Sequence, residues 1–196
     1  MSDQAAVTAG RTQRLPVTLM GMWLFVASEI MFFGALFASY FTVRSNADRW
    51  PPEGTPEISL ILPGILTLIL LSSSVTQHRA VEALKKGDRK GLVRGLAATV
   101  LLGSVFLAGE GLEWIRLIDE GLTVSTNVYG TLFFMMTGFH GLHLLGGLLI
   151  LLLGLRRATI APLEHQRTAS MEAATYYWHF VDFVWLALAT SLYLLA

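Results

Sequence analysis

The sequence predicts an all-α integral membrane protein, a bundle of five transmembrane helices. Of its 196 residues, 54% are hydrophobic and only 14% are charged, and the mean hydropathy is +0.57. A soluble domain of this size carries more charge. Five segments are apolar over about 20 residues, which is the length that crosses a hydrocarbon core about 30 Å thick. The zero net charge gives no reason to expect nucleic acid as a partner, and the lack of cysteine excludes disulfides and thiolate metal sites.

The alternation of apolar and polar segments predicts where each span begins and ends. Residues 1–14 are polar and predict a cytoplasmic N-terminus rather than a cleaved signal peptide. The third span has the weakest apolar pattern, because charged residues lie near both of its ends. We keep it because an even number of spans would place the basic loops on different sides of the membrane. Pro51, Pro52 and Pro56 predict an irregular connection before the second span. The transmembrane domain covers residues 15–196, with spans at about residues 15–43, 58–76, 92–118, 128–155 and 173–195.

Basic residues predict the orientation. Eleven of the fourteen lysines and arginines lie in or beside the N-terminal segment and the connections that precede the third and fifth spans. Cytoplasmic loops of membrane proteins carry such an excess. We therefore expect the N-terminus on the cytoplasmic side or its topological equivalent and the C-terminus on the periplasmic side or its equivalent. The membrane we expect is the inner (plasma) membrane of a bacterial cell.

Glu29 is the first candidate functional residue. It is the only formal charge between Arg14 and Arg44, so it lies near the middle of the first span among phenylalanines. Insertion scales put an acidic residue at that depth at about 2.5 to 3.5 kcal/mol, so the side chain should face protein, water or a lipid head group. Two interpretations stay open: a glutamic acid hydrogen-bonded across a helix pair, or a group that exchanges protons with the cytoplasmic side.

Two further pairs of polar residues lie in the last two spans. His140 and His143 are three residues apart and share a helix face with glycines that let a neighbouring helix approach. Bonds to that helix or to a lipid phosphate are favoured over a metal site, since no third ligand shares the helix. His179 and Asp182, one turn apart, could bond each other. Trp178 suits an aromatic belt at the membrane interface.

Glu113 and Trp114 close the third span near the predicted outer surface, and Glu110 lies one turn earlier. Water can reach both carboxylates if that turn lies at the interface. We therefore expect solvated residues that anchor the helix end.

Five motifs occur in a defined order along the chain. They are SEIMFFG around Glu29, GDRKG from Gly87, EW at Glu113, VYGTLFFMMTGFHGLH from Val128 and YYWHFVDFVWL from Tyr176. Together they resemble subunit III of the haem-copper oxidases, specifically of cytochrome c oxidase, in a short five-helix form. The resemblance runs from about residue 21 to the end of the chain.

The resemblance implies a redox-inactive subunit of an aerobic terminal oxidase that reduces oxygen to water and pumps protons. Such a chain has no catalytic residue, metal or redox cofactor of its own. The haems and copper belong to subunits I and II, subunit I is the direct neighbour, cytochrome c donates electrons to the complex, and phospholipids bind. The implied roles are proton or lipid contact for Glu29, interface anchoring for Glu113 and Trp114, and lipid binding or helix packing for His140, His143, Trp178, His179 and Asp182.

Two departures and several alternatives accompany this interpretation. Long members of the family have two further N-terminal helices that form a lipid cleft, and the family usually presents glutamine where this chain has Glu110.

Two alternatives within the superfamily stay open: the equivalent subunit of a quinol oxidase and an accessory protein of nitric oxide reductase. The motifs GDRKG and FHGLH favour the cytochrome c branch. A stand-alone transporter is disfavoured by the lack of a visible repeat. A self-sufficient haem enzyme is the remaining alternative.

Overall fold

The protein folds into five long α-helices, described by a computed structural model over residues 16–160 and 166–195. The predicted polar segment 1–14 lies outside the described residues. No strand occurs in the described ranges, so the predicted all-α fold is confirmed, while the orientation stays a prediction. The helices are α1 (Val17–Ser45), α2 (Ile61–Lys85), α3 (Arg89–Asp119), α4 (Val128–Ile160) and α5 (Gln166–Ala189), and a π-helical turn (Thr190–Leu194) continues α5.

Four of these helices, α1 to α4, are long and apolar enough to cross a membrane. The predicted fifth span corresponds to α5 and its π-helical turn, whose apolar run is interrupted by polar residues such as Thr175, His179 and Asp182. These side chains bond to α2 or to α5 itself. Within an apolar bundle, polar groups are tolerated when other helices satisfy them.

The boundary between α2 and α3 is set by two residues of the GDRKG motif. The chain at Gly87 has a φ of +72°, a conformation that glycine adopts without steric cost, and the Asp88 amide donates to the Ala83 carbonyl at 2.8 Å, which closes α2. The Asp88 side chain then accepts a hydrogen bond from the Gly91 amide at 3.0 Å and caps α3. Thus α2 continues nine residues beyond the predicted span end at Thr76.

The centre of the bundle lies around α5. This helix packs against α1, α2 and α4, while α3 packs against α2 and α4. The indole of Trp178 is fully buried at the centre, in contact with the backbones of Gly103 and Gly147, and its Nε1 donates to the Ser73 hydroxyl at 3.0 Å. Trp178 therefore packs helices together, and the expectation that it lies in an interface belt is wrong because no part of it reaches the surface.

A series of polar contacts joins α2 to α5 along their length. Ordered along α2, the contacts are Thr67 with Trp185, Ser73 with Trp178, Ser74 with Asp182 and His179, Gln77 with Thr175, and Lys85 with Glu172. The residue numbers broadly rise on one helix as they fall on the other, as antiparallel packing requires. These contacts fix the register of the two helices, because the polar groups would lack partners after a shift.

Helix α1 lies at the edge of the bundle, packed on α5 and to a smaller extent on α4. Its buried residues are Leu19, Val26, Phe33 and Tyr40, each seven positions after the last. A seven-residue spacing keeps side chains on one narrow face of a helix. Most of the rest of α1 is exposed and apolar, which suits contact with lipid or with another membrane protein.

Two tyrosines tie α1 and α4 to the π-helical turn. The Tyr40 hydroxyl donates to the Ser191 carbonyl at 2.5 Å, and the Tyr129 hydroxyl donates to the Leu192 carbonyl at 2.7 Å. The last carbonyls of a helix have no partner within it. Trp50 covers both tyrosine rings with ring-centroid distances of 5.4 and 5.6 Å. The end of α5 is therefore satisfied by side chains of two other helices.

Candidate functional site

Glu29 on α1 and His143 on α4 form a pair across the two helices. Glu29 Oε2 lies 2.8 Å from His143 Nε2, and each side chain is 17% exposed. Phe33 contacts the edge of the imidazole at a centroid distance of 5.0 Å, and Phe32 stacks on it at 6.3 Å. The structure thus brings together two residues that the sequence pattern had singled out separately, 114 positions apart.

The hydrogen-bond geometry fixes the number of protons at this contact. His143 Nδ1 lies 2.6 Å from the Phe139 carbonyl oxygen. A carbonyl only accepts, so Nδ1 carries a hydrogen. Two acceptors cannot form a hydrogen bond, so a carboxylate and an unprotonated Nε2 at 2.8 Å need a hydrogen between them. The contact therefore holds one proton, on either the imidazole or the carboxyl group. The pair can therefore hold one proton and pass it between its two members.

A hydrogen bond from α5 also fixes the backbone of His143. The Tyr177 hydroxyl donates to the His143 carbonyl at 2.8 Å, which links α4 to α5 at the level of the pair. The Tyr177 ring contacts Phe25 of α1 at a centroid distance of 5.9 Å. Three helices, α1, α4 and α5, therefore position the pair.

His140 does not join this pair, although it lies on the same stretch of α4. Its side chain is fully buried, with the ring against Phe106 at 5.9 Å and Trp185 at 5.3 Å. Among the described residues neither ring nitrogen has a hydrogen-bond partner. The two histidines thus contact different helices, His143 toward α1 and His140 toward α3 and α5.

His179 and Asp182 meet through Ser74 of α2. The Ser74 hydroxyl donates to Asp182 Oδ2 and lies 3.0 Å from His179 Nδ1, while the direct distance from His179 Nδ1 to Asp182 Oδ2 is 3.5 Å. A hydroxyl that donates to the carboxylate can accept from the imidazole N–H. This triad joins α2 to α5, and its lipid-binding role stays a prediction.

Glu113 and Glu110 are both buried, with exposures of 1% and 6%. Glu113 faces Arg116 at 3.4 Å, while Trp114 is half-buried and its Nε1 donates to the Thr137 hydroxyl at 3.2 Å. The expectation of carboxylates solvated by water is therefore wrong for this turn, since the bundle covers both side chains. Whether Glu113 and Trp114 anchor the helix end at an interface stays a prediction.

The histidines and carboxylates lie far enough apart that the described ranges contain no group of three or more that could hold a metal ion. His143 pairs with Glu29, His179 pairs with Ser74 and Asp182, and His140 lies between aromatic rings. That the chain binds no metal or redox cofactor stays a prediction.

The hydroxyl groups that complete these contacts were not predicted from the sequence. Ser73 and Ser74 of α2 meet Trp178 and Asp182, and Tyr40 meets the π-helical turn. The run SSS at residues 72–74 in the second span was the available signal, because adjacent hydroxyls at membrane depth indicate bonds between helices.

Comparison with known proteins identifies the family. The profile of the family described as cytochrome c oxidase subunit III matches residues 5–196. The chain is 43% identical to the cytochrome c oxidase subunit 3 of Synechocystis sp. over 90% of this chain and 75% of that protein. It is 42% identical to the cytochrome c oxidase subunit 3 of Thermostichus vulcanus, over 90% and 87%. It is 41% identical to the probable cytochrome c oxidase subunit 3 of Nocardia farcinica, over 89% and 86%.

The fold, the apolar helices and this match agree with one another. Four helices suited to a membrane and a fifth that packs against three of them form an integral membrane protein. The five motifs of the resemblance lie within the matched residues. The chain belongs to the cytochrome c oxidase subunit III family and is a subunit of a haem-copper oxidase complex.

Proposed function

We propose that this chain is the redox-inactive subunit III of an oxidase that passes electrons from cytochrome c to oxygen and pumps protons. In this proposal subunit I is its direct neighbour, and subunits I and II hold the haems and the copper. The names of the relatives support the cytochrome c branch, and the bacterial sources of those relatives support a bacterial plasma membrane. The basic residues support a cytoplasmic N-terminus.

The proposed task of the chain is to support subunit I, bind phospholipids and sustain proton uptake from the cytoplasmic side. The exposed apolar surface supports the first two roles, since α1 alone exposes Trp23, Leu24, Ile30 and Met31 by more than half. Lipid tails or a neighbouring membrane protein cover such surfaces.

The observation that carries the proton role is the contact between Glu29 and His143. It holds a single proton and lies among aromatic rings at the edge of the bundle, with 17% of each side chain exposed. Buried ionisable pairs of this kind mark proton relays or lipid contacts in membrane proteins. We infer that Glu29 exchanges this proton or meets a lipid head group as the oxidase turns over.

The test replaces Glu29 with glutamine in the assembled oxidase. The glutamine amide can still donate to His143 Nε2, so assembly and haem content should stay unchanged while no carboxyl proton is left to exchange. We expect slower proton uptake or a shorter lifetime during turnover, by about threefold or more, measured with an oxygen electrode and a pH dye in proteoliposomes; a factor of three corresponds to about 0.7 kcal/mol.

The matched control is Glu53→Gln, because the Glu53 side chain is 87% exposed and lies away from the pair. It should behave as the unaltered protein. Unchanged proton uptake and lifetime in Glu29→Gln would reduce Glu29 to a packing residue. Copurification with a subunit that lacks the dinuclear copper site would instead move the complex to the quinol oxidase branch.

A further inference from the structure

Helix α5 and the start of its π-helical turn keep one narrow face outside the bundle. Between Met171 and Thr190 the exposed residues are Tyr176, His179, Phe183, Leu186 and Thr190, which we call the outer face of α5. They follow one another at spacings of three, four, three and four. Residues with this spacing meet a partner when two helices pack along their length. Phe183 is 70% exposed, so the outer face is open.

Helices α1 and α2 lie on either side of the outer face. The Tyr176 ring contacts the Trp23 ring of α1 at a centroid distance of 5.0 Å, while the His179 imidazole contacts Ser74 of α2. Both helices pack on α5. A helix that covers the outer face would therefore lie along α5 with α1 and α2 beside it.

The imidazole of His179 places a polar atom on this face. Its Nδ1 points into the bundle, 3.0 Å from the Ser74 hydroxyl and 3.5 Å from Asp182 Oδ2. The side chain is nevertheless 44% exposed, and Nε2, on the other side of the ring, has no hydrogen-bond partner among the described residues. An imidazole nitrogen donates or accepts a hydrogen bond according to its protonation. The outer face therefore lacks a partner for Nε2.

This nitrogen lies at the depth of lipid acyl chains. Trp178, the neighbour of His179 in the chain, contacts Gly103 of α3. Gly103 lies nine residues after Arg94 and thirteen before Arg116. These separations correspond to about 14 and 20 Å at about 1.5 Å per residue. In a hydrocarbon core about 30 Å thick, the imidazole is therefore far from lipid head groups and from bulk water.

The depth and the spacing together distinguish the possible occupants. An unsatisfied polar atom in hydrocarbon is costly, so Nε2 needs a polar partner. A lipid acyl chain can cover Phe183 and Leu186, but it offers no hydrogen-bonding atom. A transmembrane helix packs along residues spaced three and four apart, and it can also present a serine, threonine, asparagine or glutamine side chain. A helix thus satisfies both the apolar residues and the nitrogen.

We propose that the outer face of α5 is the docking site for a transmembrane helix of another oxidase subunit, which forms a hydrogen bond with His179 Nε2 through a polar side chain. The proposal rests on the proposed function, because it takes the neighbour from the same complex. It adds to that function the surface and the side chain that recognise the neighbour.

The experiment uses the whole complex in native membranes. A photo-crosslinking phenylalanine analogue replaces Phe183 on the outer face, and in a separate protein Leu112 on α3, which is 63% exposed. We expect Phe183 to give one discrete product whose crosslinked peptide is a membrane-spanning segment of an oxidase subunit with a polar side chain at the level of His179. Leu112 should not give that product.

Two variants of His179 separate its inner contact from its outer one. In His179→Asn the amide takes the place of Nδ1, so the contact with Ser74 is kept and the outer group is lost. In His179→Gln the amide reaches the place of Nε2, so the outer group is kept. We expect His179→Asn to lower the yield of the Phe183 product by about tenfold, which corresponds to about 1.4 kcal/mol, and His179→Gln to retain it.

A second pair of variants tests the fit of the face. Leu186→Trp adds bulk to the outer face and should lower the yield of the Phe183 product. Leu112→Trp adds the same bulk to an exposed position of α3 and should leave the yield unchanged. Each yield is divided by the amount of that variant in the membrane, so a loss of folded protein does not imitate a loss of docking.

Other results overturn the proposal. Crosslinking of Phe183 only to lipid or quinone, or only to a second copy of this chain, shows a different occupant. An equal yield in His179→Asn and the unaltered protein shows that Nε2 does not recognise the neighbour. A complex that copurifies with haem and oxidises cytochrome c, yet gives no Phe183 product, rejects the docking site alone, whereas a chain that never copurifies with haem rejects the proposed function.

Discussion

His143 shows how single polar groups are accommodated in this apolar bundle. Its Nδ1, its Nε2 and its carbonyl oxygen each have a partner, on α4, α1 and α5 respectively. An unsatisfied polar group in hydrocarbon is costly. Glu29, which looks isolated within its own segment, is therefore paired once the helices pack.

Tyr40 gives a test at the level of one hydroxyl group. Tyr40→Phe should lower the free energy of unfolding by about 1 to 3 kcal/mol, because the buried Ser191 carbonyl loses its donor. The measurement is unfolding by SDS in mixed detergent micelles. Tyr176→Phe is the control, since that residue is 40% exposed and its hydroxyl makes no hydrogen bond with any described residue. Equal stability of the two variants would contradict the role of Tyr40.

At the level of helices, the pairing of α2 with α5 depends on polar contacts rather than on apolar burial alone. Five positions of α2 contact α5 in antiparallel order, from Thr67 to Lys85. Apolar side chains have little reason to prefer one helix over lipid, so packing and hydrogen bonds determine which helices pair. These contacts explain how α5, whose apolar run is interrupted by polar residues, packs against three other helices.

Ser74 tests this pairing. Ser74→Ala should lower the free energy of unfolding by about 1 to 3 kcal/mol, because the buried Asp182 loses its contact with α2 and keeps only the longer contact with His179 Nδ1, at 3.5 Å. The neighbouring Ser72→Ala is the control and should change stability little, since the Ser72 hydroxyl is exposed and bonds only the Leu68 carbonyl of its own helix. Both variants are compared by SDS unfolding. A similar loss in Ser72→Ala would show that the effect lies in α2 itself.

The sequence predicted the helices, but it did not predict which side chains pair between them. Hydropathy predicted five helical segments, yet it ended the second at Thr76, whereas the helix continues to the stop formed by Gly87. Hydropathy reports the apolar part of a helix and not its capping. The pair of Glu29 with His143 could not be predicted, because its members lie on separate helices and no local spacing relates them.

At the scale of the whole molecule, one end of the bundle carries most of the basic residues. Lys85, Lys86, Arg89 and Lys90 surround the turn between α2 and α3, and Arg156 and Arg157 lie at the end of α4. The connection between α1 and α2, at the opposite end, carries Asp48, Glu53 and Glu57. This asymmetry predicts the orientation in the membrane.

The orientation can be tested because the chain has no cysteine. A cysteine at Glu53 should react with a membrane-impermeant maleimide in intact cells whose outer layers admit the reagent, while a cysteine at Lys86 should react only after the membrane is opened. Both side chains are exposed, so access from each side decides the result. The reverse pattern would contradict the predicted cytoplasmic N-terminus.

The buried face of α1 has a consequence for how this helix can vary. Its four buried residues recur every seventh position, and one added residue turns all that follow by about 100° around the axis. A single insertion between Val26 and Phe33 would rotate Phe33 and Tyr40 toward the lipid. The Ser191 carbonyl at the end of α5 would then lose the hydrogen bond from Tyr40. Substitutions on the outer surface of α1 are therefore far better tolerated than any change in its length.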